Sequence, residues 1–482
     1  MRKNPSSLRI RFTLVRLMLC FLVGMSQLTV VSLAHASEGK NVDQLQWLRT
    51  NAVPMRSIDP ADEEFSDLIP LKEYIGKARV VFLGEQSHGD GSTFLAKGRL
   101  IRFLHQVMGF DVLAWESGTY DCRQMEAALH STAPIEEATD QGVFRLWGGS
   151  AQVRNVFEYA RSTYATTNPL EMAGFDPQFS TASSPGQMQK EILDFLEHID
   201  PPVLSSEQKE IIQKGLNQFT EFRKMPPEQR QKFRFVQAAN EEPVLGSVIG
   251  QLIKRQNGLM DVKSRRDLDF YVRCLQNLEV FEALMRKLSE ISASGGSMKS
   301  SDNNIRDQRM GENIIWLAKE RYPDRKIIVW AASSHNSRNL PSSVVGPDPT
   351  KPLYEGYVSM GQVAHDVLGD EMYSIAFTAY EGKAAILGRD PEEIAPAPEG
   401  SLESLMHQVG KPYLFVDFRN IQKDSNHWLH QPIMARPLGN VEMKGDWAMV
   451  FDAMIYTETM IPSMPSAPPT EAPKPKPDDK QQ

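Results

Sequence analysis

The run Val80-Val81-Phe82-Leu83-Gly84-Glu85-Gln86-Ser87-His88-Gly89 constrains this chain more than any other. Four apolar residues, two of them β-branched, stop at a glycine and deliver a carboxylate and an imidazole. A strand that apolar fits a sheet covered on both faces, which is the setting of parallel strands. In open α/β sheets, ligands bind in the crevice beyond the carboxyl ends of the strands. Glu85 and His88 fall at such an end. One motif of this kind is ordinarily a polar loop after a core strand, so the weight lies in its recurrence.

The pattern recurs three times. Asp111-Val112-Leu113-Ala114-Trp115-Glu116 is a short strand ending in a carboxylate. Lys326-Ile327-Ile328-Val329-Trp330-Ala331-Ala332-Ser333-Ser334-His335 ends in small residues and an imidazole. Glu171 to Asp176 is weaker and ends in Gly-Phe-Asp. Together these runs bring Glu85, His88, Glu116, His335 and Asp176 to one sheet edge, as an acid–base or metal constellation.

Around these strands the chain reads as an α/β fold. Ser92 to Met108 repeats apolar residues at helical spacing, so strand, loop, helix and the strand ending at Glu116 form a right-handed βαβ unit. From about 186 to 300 the sequence turns polar and helical, with Leu268, Tyr271, Leu275, Leu278 and Phe281 on one face. This span reads as a helical insertion, either a structural cap or a lid over the strand ends. A helix over Asn304 to Glu320 follows, then strands ending near His335 and over Tyr373 to Ala379, Tyr413 to Phe418 and Trp447 to Tyr456. The expected architecture is a mostly parallel central sheet with helices on both faces, over residues 37–461. Residues 462–482 form a Pro-rich tail that cannot pack a core and reads as disordered or extended.

The first 36 residues read as a secretory signal. Arg2, Lys3, Arg9, Arg11 and Arg16 precede the apolar stretch Leu17 to Met25, and Ala34-His35-Ala36 is a small-x-small cleavage site. Their removal takes away five cations and no acid, moving the net charge from −8 to −13. So acidic a chain is a poor partner for nucleic acid or anionic membranes. The expectation is an exported protein, periplasmic or secreted, with no membrane span after cleavage. Cys122 and Cys274 would then remain, too far apart for a zinc motif. They read as free buried thiols, with one disulfide as the alternative.

A histidine beside carboxylates has its tautomer fixed and its pKa raised, which suits a base acting on water. Two histidines with two or three carboxylates equally suit zinc, manganese or iron. No Gly-x-Ser-x-Gly elbow, phosphate loop or dinucleotide fingerprint is present. The remaining histidines lack a partner pattern, and Trp147, Trp316 and Trp330 read as core, although Trp330 sits close to the site.

These motifs resemble the erythromycin esterase family. Gly84 to Gly89 is similar to its Gly-Glu-x-x-His signature, and the spacing from His88 to Glu116 matches its second acidic motif. Gly174-Phe175-Asp176, the Arg306-Asp307-Gln308-Arg309-Met310 helix, Trp330 to His335 and Ser359-Met360-Gly361-Gln362 resemble further family segments, in order. The resemblance implies an α/β hydrolase whose His88 activates water against a small-molecule ester or lactone, tuned by Glu85 and Glu116, with His335 beside them. It implies substrate contacts from Lys97, Asp176, Arg306 and Trp330, and no cofactor. Lys97 stands where the family has an arginine, and Ala332 and Ser333 replace a His-Asn pair, so the substrate need not be a macrolide. Related folds include haem-binding iron-uptake lipoproteins and Tiki-type metalloproteases. A metal- or haem-binding protein, or a metallohydrolase, using the same Glu/His edge is therefore the alternative.

Overall fold

A computed structural model describes residues 42–466, apart from 182–183, 199–204, 227–228, 230–232, 234–241, 257–260 and 349. The expected signal segment, and the tail beyond 466, lie outside the described residues. Among the described residues there are twelve strands: β1 (Val53–Pro54), β2 (Val80–Leu83), β3 (Val112–Gly118), β4 (Glu171–Asp176), β5 (Ile327–Trp330), β6 (Val344–Val345), β7 (Met372–Ala384), β8 (Glu392–Ile394), β9 (Tyr413–Asp417), β10 (Ile433–Ala435), β11 (Met443–Gly445) and β12 (Ala453–Met460). The main sheet runs β1-β9-β12-β7-β2-β5-β3-β4, with β8 on β7, and a small sheet runs β10-β11-β6. The six strands from β12 to β4 pair in parallel; β9, β1 and β8 pair antiparallel. This is the mixed, mostly parallel sheet that the apolar runs dictate.

Strand alternation sorts the core. Val80, Phe82, Val112, Ala114, Ile327 and Val329 face one layer, which includes Met310 and Ile314 of the Asn304–Trp316 helix. Val81, Leu83, Leu113, Trp115, Ile328 and Trp330 face the other, with Phe94, Leu100 and Leu104 of the Gly91–Met108 helix. Burying one such aliphatic or aromatic side chain contributes ~1.5–3 kcal/mol, so both faces must be covered. Between β4 and β5 lie the helices Ser184–Glu197, Ser206–Lys224, Glu242–Gln256 and Val262–Ala293, and their buried apolar residues, among them Ile192, Leu216, Leu252 and Leu275, join the first layer. No helix among the described residues is long and apolar enough to cross a membrane.

Several boundaries differ from the sequence reading: the strand read over Tyr373 to Ala379 runs Met372–Ala384, and the run toward His335 leaves the sheet at Trp330 for a helical turn at Ser333–Asn336. The Asn304 helix is α-helical only to Trp316 and closes in a π-turn over Leu317–Arg321. Trp447 to Val450 is a helical turn, because the Asp446 carboxylate caps Met449 N–H at 3.2 Å; the strand starts only at Ala453. Residues 462–466 of the tail are packed against the body: Pro462 bridges to Asp90, Pro465 bridges to Ser150, and Ser463 is buried.

The connection order makes the site. The chain lays down β2, then β3 and β4 outward, and returns to insert β5 between β2 and β3. The carboxyl ends of β2, β5, β3 and β4 therefore stand side by side at a topological switch point.

Candidate functional site

β2 ends in a tight place. A Cβ on Gly84 would lie 2.5 Å from Ser333 Oγ and 3.1 Å from the Ile375 carbonyl, so only glycine passes between β5 and β7 here. Gly84 N–H donates to Ile375 O (2.9 Å) and Ser333 N–H donates to Glu85 O (2.8 Å), which carries the ladder into the loop. Asp90 folds that loop back, accepting from Ser87 N–H (2.6 Å) and Ser87 Oγ (2.8 Å). The Gly91–Met108 helix then starts, and Lys97, two turns in, returns to Glu85.

Glu85 is fully buried and saturated. Oε1 meets His88 Nδ1 at 2.8 Å and accepts from Trp147 Nε1 at 3.0 Å; Oε2 accepts from Lys97 Nζ at 2.7 Å. Burial pushes its pKa up, but Lys97 and His88 outweigh that and hold it below the usual carboxylate range. Burial likewise pushes His88 down, and the Glu85 hydrogen bond and charge, with Glu116 behind them, carry it above its ordinary value, against His335. The His88 side chain is 33% exposed, whereas Lys97 is closed to solvent. With Nδ1 committed to Glu85, Nε2 is the nitrogen left for chemistry. Lys97 Nζ also sits 3.9 Å over the Trp330 ring, and burial lowers its pKa to about 8 despite Glu85.

A second group forms around Glu116, which lies inside β3 where the pairing with β4 shifts between Trp115 and Gly118. Oε1 accepts from Arg306 Nη2 (2.8 Å) and stands 3.3 Å from His335 Nε2; Oε2 accepts from Ala332 N–H (2.9 Å). Burial raises the Glu116 pKa, and the charges of His335 and Arg306 drive it well below the usual range. Arg306 Nη2 also donates to Asp176 Oδ2 (2.6 Å), and Arg306 Nη1 lies 3.0 Å from His335 Nε2. Behind His335, Asp307 Oδ1 meets Nδ1 at 2.6 Å and accepts from Tyr357 OH and Met360 N–H, each at 3.0 Å. Burial lowers the His335 pKa, but Asp307 and Glu116 lift it to about 10.

The backbone of Ala332 and Ser333 stitches the groups together, one amide on the Glu116 side chain and the next on the Glu85 carbonyl. Glu85, His88, Glu116, Asp176, Arg306 and His335 thus converge. Lys97, Asp176 and Trp330, read from the sequence as substrate contacts, are fully closed to solvent. Trp330 stacks on Trp115 at a centroid distance of 4.7 Å and supports Lys97; Asp176 anchors Arg306. They build the walls of the site. Asp307 and Trp147 were missed. Asp307 stood beside Arg306 in the motif; Trp147, read as core, carries no local signal of its bond to Glu85.

The donor set does not suit a metal. The Arg306 guanidinium already occupies the place of a cation between Glu116 and Asp176, and both histidine Nδ1 atoms are committed to carboxylates. Among the described residues no group of three or more His, Cys, Asp or Glu is arranged to hold an ion. Cys122 and Cys274 are free and buried. A groove of about 260 Å3 beside β4, lined by Arg123, Phe270, Trp316 and Tyr322 among others, contains neither histidine of the site.

The profile of the erythromycin esterase family matches residues 105–460. The chain is 26% identical over 474 residues to YbfO of Bacillus subtilis (strain 168), named as a hydrolase, covering 94% of this chain and 98% of that protein. It is 24% identical over 433 residues to erythromycin esterase type II of Escherichia coli, covering 86% and 97%. A solved structure of a mutant of the erythromycin esterase EreC, in its open conformation, superposes with a TM-score of 0.62 at 16% identity, covering 84% of this chain and 97% of that one.

Proposed function

Since the chain belongs to the erythromycin esterase family and is a hydrolase, we propose that it is an exported enzyme that cleaves a small-molecule ester or lactone with water activated by His88. The observation that carries this reading is a pair of imidazoles, each fixed at Nδ1 by a buried carboxylate and each raised further by the charge of Glu116. Glu85 stands 2.8 Å from His88, and Asp307 stands 2.6 Å from His335.

His88 Nε2 takes a proton from water as the water oxygen attacks the carbonyl carbon. Glu85 holds the tautomer and stabilises the imidazolium that forms. His335, carried to about 10, keeps its proton at neutral pH. Beside Arg306, it places positive charge where the carbonyl oxygen becomes negative. When the intermediate collapses, the acyl C–O bond breaks, and the alkoxide takes the proton held on His88. Products are a carboxylic acid and an alcohol, joined in one chain if the substrate is a lactone. The departures at Lys97, Ala332 and Ser333 leave this chemistry intact, and the substrate need not be a macrolide.

The test is His88→Asn assayed on a panel of esters and lactones. The variant should keep its fold and lose ~10²–10⁴-fold in kcat, with little change in KM. The parent's rate should fall on the acid side as His88 protonates, at a pH above the ordinary histidine value. A folded variant with parental kcat removes His88 from the mechanism.

A further inference from the structure

The last described residues of the chain lie across the loop that carries His88. Gly91 N–H donates to Ile461 O (2.8 Å), and Ser463 N–H donates to Gly89 O (2.9 Å). Ile461 N–H donates to Ser92 Oγ (3.0 Å), which in turn donates to Thr459 O (2.9 Å). The same segment then grips the turn after Trp147. Ser463 Oγ donates to Ser150 Oγ (2.8 Å), Ala151 N–H to Met464 O (2.8 Å), and Ser466 N–H to Gly149 O (2.8 Å).

This is a built contact. Pro462 and Pro465 have no N–H to satisfy, and the four N–H groups that remain, at Ile461, Ser463, Met464 and Ser466, each find an acceptor. The approach leaves no room for a side chain at Gly91, where a Cβ would lie 2.6 Å from Pro462 O and 2.9 Å from Ile461 O. The two places gripped carry two of the three groups that meet the Glu85 carboxylate, His88 and Trp147. The family profile stops at Met460, one residue before this segment.

We propose that residues 461–466 are a positioning strap, which clamps the 87–92 loop to the 147–152 segment so that His88 and Trp147 meet Glu85 in a single geometry. The strap touches no reacting atom; it acts through His88. Its kinetic consequence rests on the reading of His88 as the base, whereas its structural consequence does not.

The experiment compares the full chain, a chain ending at Ser466, a chain ending at Met460 and full-length Gly91→Ala, which drives a methyl into the strap. Three readouts are followed: exchange of the Gly91 amide, NMR titration of the His88 imidazole, and kcat and KM on an ester or lactone that the parent hydrolyses. His88 faces Glu85, Glu116 and His335, with Lys97 beyond Glu85, so its titration reports whether that geometry persists. The chain ending at Ser466 should match the parent. The chain ending at Met460 should exchange Gly91 roughly tenfold faster or more. Its His88 should titrate nearer the ordinary value, and it should lose on the order of 10²-fold in kcat, with KM within about threefold. A peptide of residues 461–466 added in trans should restore all three, and Gly91→Ala should reproduce the losses in a chain of full length. Parental Gly91 exchange and His88 titration in the Met460-ended chain, or in Gly91→Ala should the shorter chain not fold, overturn the proposal. If these shift while His88→Asn remains fully active, the strap stands and the hydrolytic role of His88 falls.

Discussion

Lys97→Met isolates what the buried pair with Glu85 contributes. The two side chains are closed to solvent and 2.7 Å apart, and methionine fills most of the lysine's volume. What is lost is charge, together with the contact over Trp330. Removing one partner of a buried pair costs about 3–5 kcal/mol, because the other charge stays behind. The pH dependence is more diagnostic. In the parent, the Glu85 pKa is depressed, so its stabilisation is present at neutral pH and fades as pH falls through the folded value. Without Lys97, burial dominates and the pKa rises, so the variant pays for a buried carboxylate at neutral pH and is relieved as pH falls. The stability gap should therefore be open at neutrality and close toward acid. It should widen further above about 8, where Lys97 loses its proton in the folded parent but keeps it in the unfolded chain, so that the parent gains stability that the variant cannot. Urea unfolding of both chains across that pH range measures the gap, and Glu85→Gln in the Lys97→Met background should recover more than half of the loss at pH 7. A gap that does not vary with pH, or a double variant no more stable than the single one, would refute the pairing as an ionic one.

Three further outcomes follow from the site. Lys97→Arg keeps the charge and cannot deprotonate, so any fall in rate above about 8 should move to higher pH, as read from a pH–kcat profile. Arg306→Lys keeps the charge and loses the fork that serves Glu116 and Asp176 together. It should cost ~1–3 kcal/mol and lower the His88-dependent turnover, measured by denaturation and steady-state kinetics. Cys122 and Cys274 are buried, and burial raises both thiol pKa values. Neither should react with a maleimide at pH 8 until denaturant is added; labelling of the native protein would place one of them at the surface.

The fold was legible where one physical demand dominates a segment. β2, β5 and the first four residues of β3 are short apolar runs with no polar face, and only a sheet covered on both sides accommodates them. Their carboxyl ends carried the titratable groups, so the edge could be read before any geometry. The order of strands along that edge was not legible, because it depends on β5 returning to a slot between β2 and β3 after the long helical insertion. The split of site residues into buried supports and reacting groups was also hidden. For Lys97 and Asp176 the family resemblance implied substrate contacts. Each is instead closed to solvent by a partner from a distant segment, Glu85 for the one and Arg306 for the other.

The tail shows the same limit from the opposite side. A stretch rich in proline, with few large apolar side chains, cannot supply a core of its own, and by composition it is loose. Composition counts what a segment can bury and says nothing of what its backbone can be offered. At 461–466 the offer comes from Gly89, Gly91, Gly149 and Ser150, which expose backbone groups with no side chain, or only a small one, in the way. Proline fits such a seat because its missing N–H needs no partner and its fixed φ reduces the entropy lost on docking. The glycines of the active loop were visible in the sequence as a turn after Glu85. That two of them also seat the end of the chain depends on residues more than 300 positions away. No local pattern in either segment could announce that contact.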